Sequence, residues 1–199
     1  MLCAAARQWL SFILFGYYAG RVQITSAVLD EIRYRTKPRA ENSGWMQSAA
    51  SEAVRVIGLR PSLVDDSEQY DAKIFDDVHR RLQSLAEAAG KAVGGNRHTG
   101  EAESIARCVA LVKDGEKVIF LTNDTDASRV AAEHRIATLH FGSILQELVC
   151  AGRLDTNRAS NLLQEVLQHS GINPGAIGAL SCLASGGSCL TCDDLARRL

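Results

Sequence analysis

The segment of residues 97–126 constrains the fold most, because it places acidic residues both at a helix start and after an apolar strand. Glu101 and Glu103 fall in the first turn of a predicted helix. An apolar run, residues 118–122, predicts a buried strand, and Asn123-Asp124-Thr125-Asp126 follows its end. In open α/β sheets, ligands bind beyond the carboxyl ends of parallel strands. We therefore expect these acids to meet at one edge of a sheet.

Composition permits one domain with a full core. The chain has 199 residues, of which 46% are hydrophobic and 23% charged, with a formal net charge of -1. There is no basic excess, so any nucleic-acid-binding surface must be local. No apolar stretch reaches the roughly 20 residues of a membrane span. The most apolar run, residues 9–19, follows Arg7, and a secretory signal peptide is the alternative interpretation of it.

The cysteines fall into two groups. Three lie in apolar contexts: Cys3, Cys108 and Cys150. Buried thiols of this kind are typical of a cytoplasmic protein and argue against a signal peptide. Three more cluster in the C-terminal tail: Cys182, Cys189 and Cys192. A tetrahedral zinc site needs four ligands, and only the distant His169 offers a fourth, so zinc binding by the tail is left open.

Hydrophobic periodicity predicts alternating strands and helices. The predicted strands are residues 1–4, 22–25, 53–59, 118–122 and 136–139. The predicted helices are residues 5–18, 27–34, 65–92, a helix from Glu101 to the charged loop 113–117, and residues 127–134, 141–151 and 157–169. This alternation predicts an α/β fold with three layers, in which helices cover both faces of a central parallel sheet of about four to five strands.

The helix predicted over residues 27–34 carries two adjacent acids, Asp30 and Glu31. Adjacent residues of a helix point about 100° apart, so only one of the two can face a given cleft. Val28 belongs to the buried side, and Glu31 lies closer to that flank. We expect Glu31 to be the acid that points inward.

Three motifs, in this order along the chain, resemble the PIN-domain family of metal-dependent ribonucleases and most closely its bacterial toxin-like branch. They are Val22-Gln-Ile-Thr-Ser-Ala-Val-Leu-Asp-Glu-Ile32, Gly100-Glu-Ala-Glu-Ser-Ile-Ala106 and Phe120-Leu-Thr-Asn-Asp-Thr-Asp-Ala-Ser-Arg-Val-Ala131. The resemblance covers residues 1–168 and implies a PIN-like nuclease domain there, with a helical insertion around residues 36–96. A Gly-, Ser- and Cys-containing tail, residues 169–199, follows it.

The resemblance implies that a cluster of carboxylates holds Mg²⁺ or Mn²⁺, hard cations that prefer oxygen ligands. Such ions activate water and stabilise charge on a phosphate under attack. The residues implied as catalytic or metal-binding are Glu31, Glu101, Asp124 and Asp126, with Glu103 as a neighbour or substitute. Residues implied or considered for positioning the substrate are Thr122, Asn123, Arg97, His98, Arg129 and Arg135.

Each of these residues also has a structural interpretation. Acids in the first turn of a helix, such as Glu101 and Glu103, are favourable beside unpaired backbone N–H groups. Asp126 could serve as the N-cap of the next helix, and the arginines could be ordinary surface charges. The glycine-rich residues 90–100 lack the Gly-Lys-Ser/Thr of a Walker A loop, so a nucleotide-binding domain is the weaker alternative function.

One departure from the family pattern concerns Ala4. The resemblance places an aspartate there, at the end of the first strand, and residues 1–29 contain no acid. Either Ala4 replaces an aspartate to silence a toxic nuclease, or the chain is a naturally non-catalytic relative. Loss of one of about four anionic ligands weakens metal binding in both cases, so we expect this chain to be an inactive variant.

The resemblance also implies partners. Single-stranded RNA is the expected substrate, and a cognate antitoxin protein the expected inhibitor. The apolar stripe of residues 162–167, or the first helix with Trp9 and Phe12, could bind that antitoxin or form a homodimer; core packing is the alternative use of both. A PIN-like scaffold that binds RNA or protein without cleavage is the alternative function.

Overall fold

The computed structural model describes residues 17–18, 21–38, 44–65, 69–91 and 97–170, and the structural statements below concern these residues. The helices are α1 (Ser26–Arg35), α2 (Gly44–Gly58), α3 (Ala72–Ala88), α4 (Thr99–Lys113), α5 (Thr125–Glu133), α6 (Phe141–Cys150) and α7 (Thr156–Ser170). The strands are β1 (Ile24–Thr25), β2 (Val64–Asp65), β3 (Ile119–Leu121) and β4 (Ala137–Leu139), and a 3₁₀ turn spans Pro61–Leu63.

The predicted three-layer fold with a central sheet of four to five strands is wrong. The described strands form two separate parallel pairs, β1 with β2 and β3 with β4, and helix dominates the rest. One reason lies in residues 53–59, which were expected to form a strand and belong to α2. Ala53, Val56 and Ile57 are buried on one face of that helix. A short apolar run of this kind fits a buried strand and a buried helix equally well.

The remaining elements keep their predicted type but differ in their ends. α3 begins at Ala72 rather than near residue 65, because the Asp71 side chain accepts a hydrogen bond from the Lys73 N–H and caps the helix there. An aspartate in this position satisfies a backbone donor that the helix leaves unpaired. The predicted strand at residues 1–4 and the helix at residues 5–16 lie outside the described residues.

Helix α4 is the centre of the core that carries the predicted site. It packs against α1, α3, α5, β1 and β3. Ala102, Ile105 and Ala106 form its fully buried face. Small residues on this face let the neighbouring helices approach closely, and burial of a side chain such as Ile105 stabilises the fold by about 1.5–3 kcal/mol. The position of α4 thereby fixes the position of the acids at its first turn.

An ion pair between Arg107 of α4 and Asp65 of β2 fixes α4 further. Both side chains are mostly buried, with 15% and 10% of their surface exposed. A second nitrogen of the same guanidinium donates to the Gln69 carbonyl at 3.0 Å. The pair therefore links the β1–β2 sheet to the middle of α4.

A second part of the core surrounds α6 and α7. Leu145 and Leu148 of α6 are fully buried, and Leu162 and Val166 of α7 are 4% and 3% exposed. The apolar stripe of α7 therefore packs into the core, which leaves little of it as a surface for a partner. Trp9 and Phe12 lie outside the described residues. None of the helices in the described part of the chain has the length and apolar character that crossing a membrane requires.

Candidate functional site

Gly100 lets α1 touch α4 at the point where two of the predicted acids lie. A Cβ atom added at this position would lie 3.2 Å from Val28 Cγ2 and 3.3 Å from Glu31 Oε2. Both distances are shorter than an ordinary contact, so a side chain at this position would require Val28 or Glu31 to move by a few tenths of an ångström. The Glu31 carboxylate therefore lies against the first turn of α4, beside Glu101. Asp30, in contrast, points to solvent with 74% of its side chain exposed.

The carboxyl of Glu101 is influenced by the charges of two other acids. Burial raises the pKa of Glu101 above its usual value, and the negative charges of Glu31 and Asp124 raise it further. Only 27% of the side chain is exposed, so water screens these charges poorly. Three carboxylates from α1, α4 and the end of β3 therefore share one region, and we call Glu31, Glu101 and Asp124 the acidic triad.

Asp124 is held in place by its role as the N-cap of α5. One carboxylate oxygen, Oδ1, accepts a hydrogen bond from the Ala127 N–H at 2.8 Å. The Asp124 N–H in turn donates to Thr122 Oγ1 at 3.0 Å. These two bonds fix both the backbone and the side chain of Asp124 immediately after β3. The sequence had offered Asp126 as this cap; the structure assigns it to Asp124 instead.

Asp126 and Glu103 make other contacts. Asp126 lies in the first turn of α5 and forms ion pairs with Lys91 at 3.3 Å and Arg129 at 3.6 Å. Glu103 is buried and accepts a hydrogen bond from the Ser26 hydroxyl at 3.1 Å, which links the start of α1 to α4. Both acids thus have structural contacts in the described residues, and their metal-binding role stays a prediction.

Thr122 and Asn123 hold the loop between β3 and α5. The Thr122 carbonyl accepts a hydrogen bond from His140 Nδ1 at 2.7 Å. The Asn123 Oδ1 atom accepts from the Phe141 N–H at 2.8 Å and so caps α6, while its Nδ2 donor is buried without a hydrogen-bond partner. The amide oxygen of Asn123 therefore already accepts a backbone hydrogen bond. Thr122 and Asn123 together hold the loop that positions Asp124.

His98, which the sequence suggested only as a residue for positioning the substrate, is a neighbour of the triad. It occupies the left-handed region at φ 66°, and its Nδ1 lies 4.0 Å from Glu101 Oε2. Burial lowers the pKa of His98, although the Asp124 charge opposes that shift. Its loop is tied to α3, because His79 Nε2 lies 2.9 Å from the Arg97 carbonyl. No sequence signal predicts a left-handed histidine.

The chemistry of the acidic triad fits a hard divalent cation. Carboxylate oxygens are the preferred ligands of Mg²⁺ and Mn²⁺, and a cation between them would relieve the repulsion that raises the pKa of Glu101. Within the described ranges, no group of three His, Cys, Asp or Glu side chains already stands in metal-binding geometry. Glu31 and Glu101 would therefore have to turn toward a common ion on binding, while the N-cap bond holds Asp124.

Two other predicted sites fall outside the described residues, namely Ala4 and the tail cysteines Cys182, Cys189 and Cys192. Comparison with known proteins gives no further identification. No protein-family model matches this chain, and neither a curated protein nor a solved structure matches it.

Proposed function

We propose that this chain carries the site of a Mg²⁺- or Mn²⁺-dependent endoribonuclease that acts in the cytoplasm as the toxin of a toxin–antitoxin or defence system. The observation that carries the proposal is the convergence of Glu31, Glu101 and Asp124 from three separate segments. Burial and the neighbouring negative charges raise the pKa of Glu101, and an acid perturbed in this way is a candidate for a functional site. The resemblance of the three motifs to the PIN family supports the same chemistry. The single central sheet that the resemblance also implied is not present in the described residues.

The residues of the chain have separable tasks in such a reaction. Glu31, Glu101 and Asp124 would hold a divalent ion, which supplies an activated water and stabilises charge on the phosphate when bound. The N-cap bond of Asp124 fixes its orientation before binding. The raised pKa of Glu101 means that a proton competes with the cation at this carboxylate, so metal binding strengthens as pH rises.

Position 4 gives the direct test. We expect Ala4→Asp to gain Mg²⁺-dependent cleavage of a single-stranded RNA, because it adds an anionic ligand at the position the family pattern requires. The double variants Ala4→Asp/Glu101→Gln and Ala4→Asp/Asp124→Asn should lose that gain. Asp30→Asn, combined with Ala4→Asp, is the matched control and should retain it. Absence of cleavage by Ala4→Asp would overturn the proposal.

A second candidate function is a scaffold that binds RNA or a protein partner without cleavage. Ala4 favours it, because the residue offers no metal ligand at that position. Under this alternative, Ala4→Asp gains neither metal affinity nor cleavage, while the chain still retains RNA or a cognate antitoxin in a binding assay. A cognate antitoxin and a homodimer remain the proposed protein partners of the nuclease as well.

A further inference from the structure

His98 is a mostly buried histidine whose ring makes no hydrogen bond within the described part of the chain. Only 13% of its side chain is exposed, and its Nε2 atom is buried without a partner. Its Nδ1 atom lies 4.0 Å from Glu101 Oε2, which is too long for a hydrogen bond. A buried polar atom without a partner destabilises a fold, so the internal contacts of the chain do not account for this ring.

The backbone at His98 is held by contacts that do not involve its own ring. His79 Nε2 of α3 lies 2.9 Å from the Arg97 carbonyl, and the His79 ring stacks on Phe75 with the two centroids 5.7 Å apart. On the other side, the His98 carbonyl accepts a hydrogen bond from the Ala102 N–H at 2.9 Å. His98 is thereby kept at φ 66°, a left-handed conformation that is uncommon outside glycine and concentrated at functional sites.

Two acids of the triad act on the His98 ring. Glu101 supplies the carboxylate that lies 4.0 Å from Nδ1. Burial lowers the pKa of His98, and the charge of Asp124 partly opposes that effect. Because neither ring nitrogen has a hydrogen bond to break, the imidazole can turn toward an ion shared with these carboxylates. The site therefore combines oxygen ligands with one unpaired nitrogen.

A nitrogen ligand changes which divalent ion a carboxylate site prefers. Mg²⁺ binds oxygen ligands and water, and it demands near-ideal octahedral geometry. Mn²⁺ shares the preference for carboxylates, but as a transition-metal ion it also accepts a neutral imidazole, which is the commonest metal ligand in proteins. An imidazole beside the acidic triad therefore favours Mn²⁺ of the two ions.

We propose that His98 is a nitrogen ligand of the divalent ion held by the acidic triad, and that it makes this site select Mn²⁺ over Mg²⁺. The inference rests on the proposed function, because it names the ion that the site would use. It also explains why the fold keeps a mostly buried histidine in a left-handed conformation with both ring nitrogens unbonded.

The test is electron spin-echo envelope modulation of Mn²⁺ bound to the full chain, which detects a nitrogen coordinated to the ion. The original chain and Ala4→Asp should both show nitrogen coupling. His98→Asn should abolish it in either background, because asparagine tolerates the left-handed backbone and offers an amide oxygen instead of the imidazole. In calorimetric titrations, His98→Asn should lower the affinity for Mn²⁺ relative to Mg²⁺ by about tenfold or more, since even outer-shell partners of a metal site contribute that much.

His134→Gln is the matched control. His134 follows the far end of α5, about 15 Å along the helix from Asp124. Its substitution should change neither the nitrogen coupling nor the relative affinity for the two ions. Circular dichroism melting of each variant checks that the fold is retained.

Mn²⁺ bound without nitrogen coupling would overturn the inference, as would coupling that is unchanged in His98→Asn, or the absence of Mn²⁺ binding in both the original chain and Ala4→Asp. The outcome is separable from that of the proposed function. Coupling that depends on His98, together with an Ala4→Asp variant that does not cleave, supports the ligand and refutes the nuclease. Cleavage by Ala4→Asp with Mn²⁺ bound through oxygen alone does the reverse.

Discussion

Substitution of Gly100 by alanine tests the packing that brings the acidic triad together. The added methyl group would lie 3.2 Å from Val28 Cγ2 and 3.3 Å from Glu31 Oε2. Ordinary contacts begin near 3.4 Å, so α1 or the Glu31 side chain has to move away by a few tenths of an ångström. The same substitution therefore perturbs stability and the position of Glu31 together.

Two opposing effects set the magnitude for Gly100→Ala. Overpacking a tight contact costs about 1–3 kcal/mol, while replacing a helical glycine by alanine gains about 0.4–1 kcal/mol. The backbone of Gly100 is not in the left-handed region, so that gain applies. We expect a net loss of about 0–2.6 kcal/mol in the free energy of unfolding, together with weaker divalent-cation binding because Glu31 is displaced.

The assay is urea unfolding followed by circular dichroism, with Gly58→Ala as the matched control. Gly58 is also helical, and a Cβ atom there meets nothing within 4 Å. That control should be neutral or stabilising by up to about 1 kcal/mol. If Gly100→Ala stabilises the protein as much as Gly58→Ala, the close approach of α1 to α4 is refuted.

Three further predictions concern individual side chains. Burial and like charges raise the pKa of Glu101 in the folded state, so the folded protein loses stability as pH rises through that pKa and the carboxyl ionises. Glu101→Gln removes this ionisation and should stabilise the metal-free protein by about 1 kcal/mol at pH 8. In urea unfolding well below pH 4, where the carboxyl is protonated, the substitution should have no effect. Asp124→Asn should keep the α5 cap and nearly full stability, whereas Asp124→Ala should lose about 1 kcal/mol, and both should lose Mg²⁺ binding by calorimetry. Of the thiols predicted to be buried, Cys108 is buried, but the prediction for Cys150 is wrong because that side chain is exposed. Burial raises the pKa of Cys108 to about 12, so iodoacetamide at pH 8 should modify Cys150 before Cys108 in peptide mass mapping.

The sequence predicted local elements better than their assembly. The spacing of apolar residues was sufficient to locate α4, α5 and α6, although α6 is buried around most of its circumference rather than on one face. The apolar pattern could not decide the secondary structure of residues 53–59, because an apolar run flanked by glycine and proline is compatible with a strand or a helix. Placing them in α2 removed one strand from the expected sheet, and β2 at Val64–Asp65 is too short to produce a periodic signal.

Part of the candidate site could be predicted from the sequence, because the positions of acids relative to helix starts and strand ends can be read there. Acids at the start of α4 and after β3 are visible in the sequence. The helical angle between Asp30 and Glu31 was enough to choose the acid that lies nearer α4, but Glu31 does not point inward, because 47% of its side chain is exposed and it pairs with Arg35. The cap could not be assigned in the same way, because Asp124 and Asp126 have the same chemistry and only the extended backbone of Asp124 distinguishes them. The contribution of Gly100 appears only once α1 and α4 are packed together.

The most direct test of the convergence is the pKa of the Glu101 carboxyl, measured by carbon NMR in the original chain and in Glu31→Gln. Our account predicts a value above the usual range in the original chain, and a lower value both in Glu31→Gln and after addition of Mg²⁺, because each change removes or compensates a neighbouring negative charge. A Glu101 pKa that is ordinary in the original chain, or that neither change alters, would contradict the acidic triad.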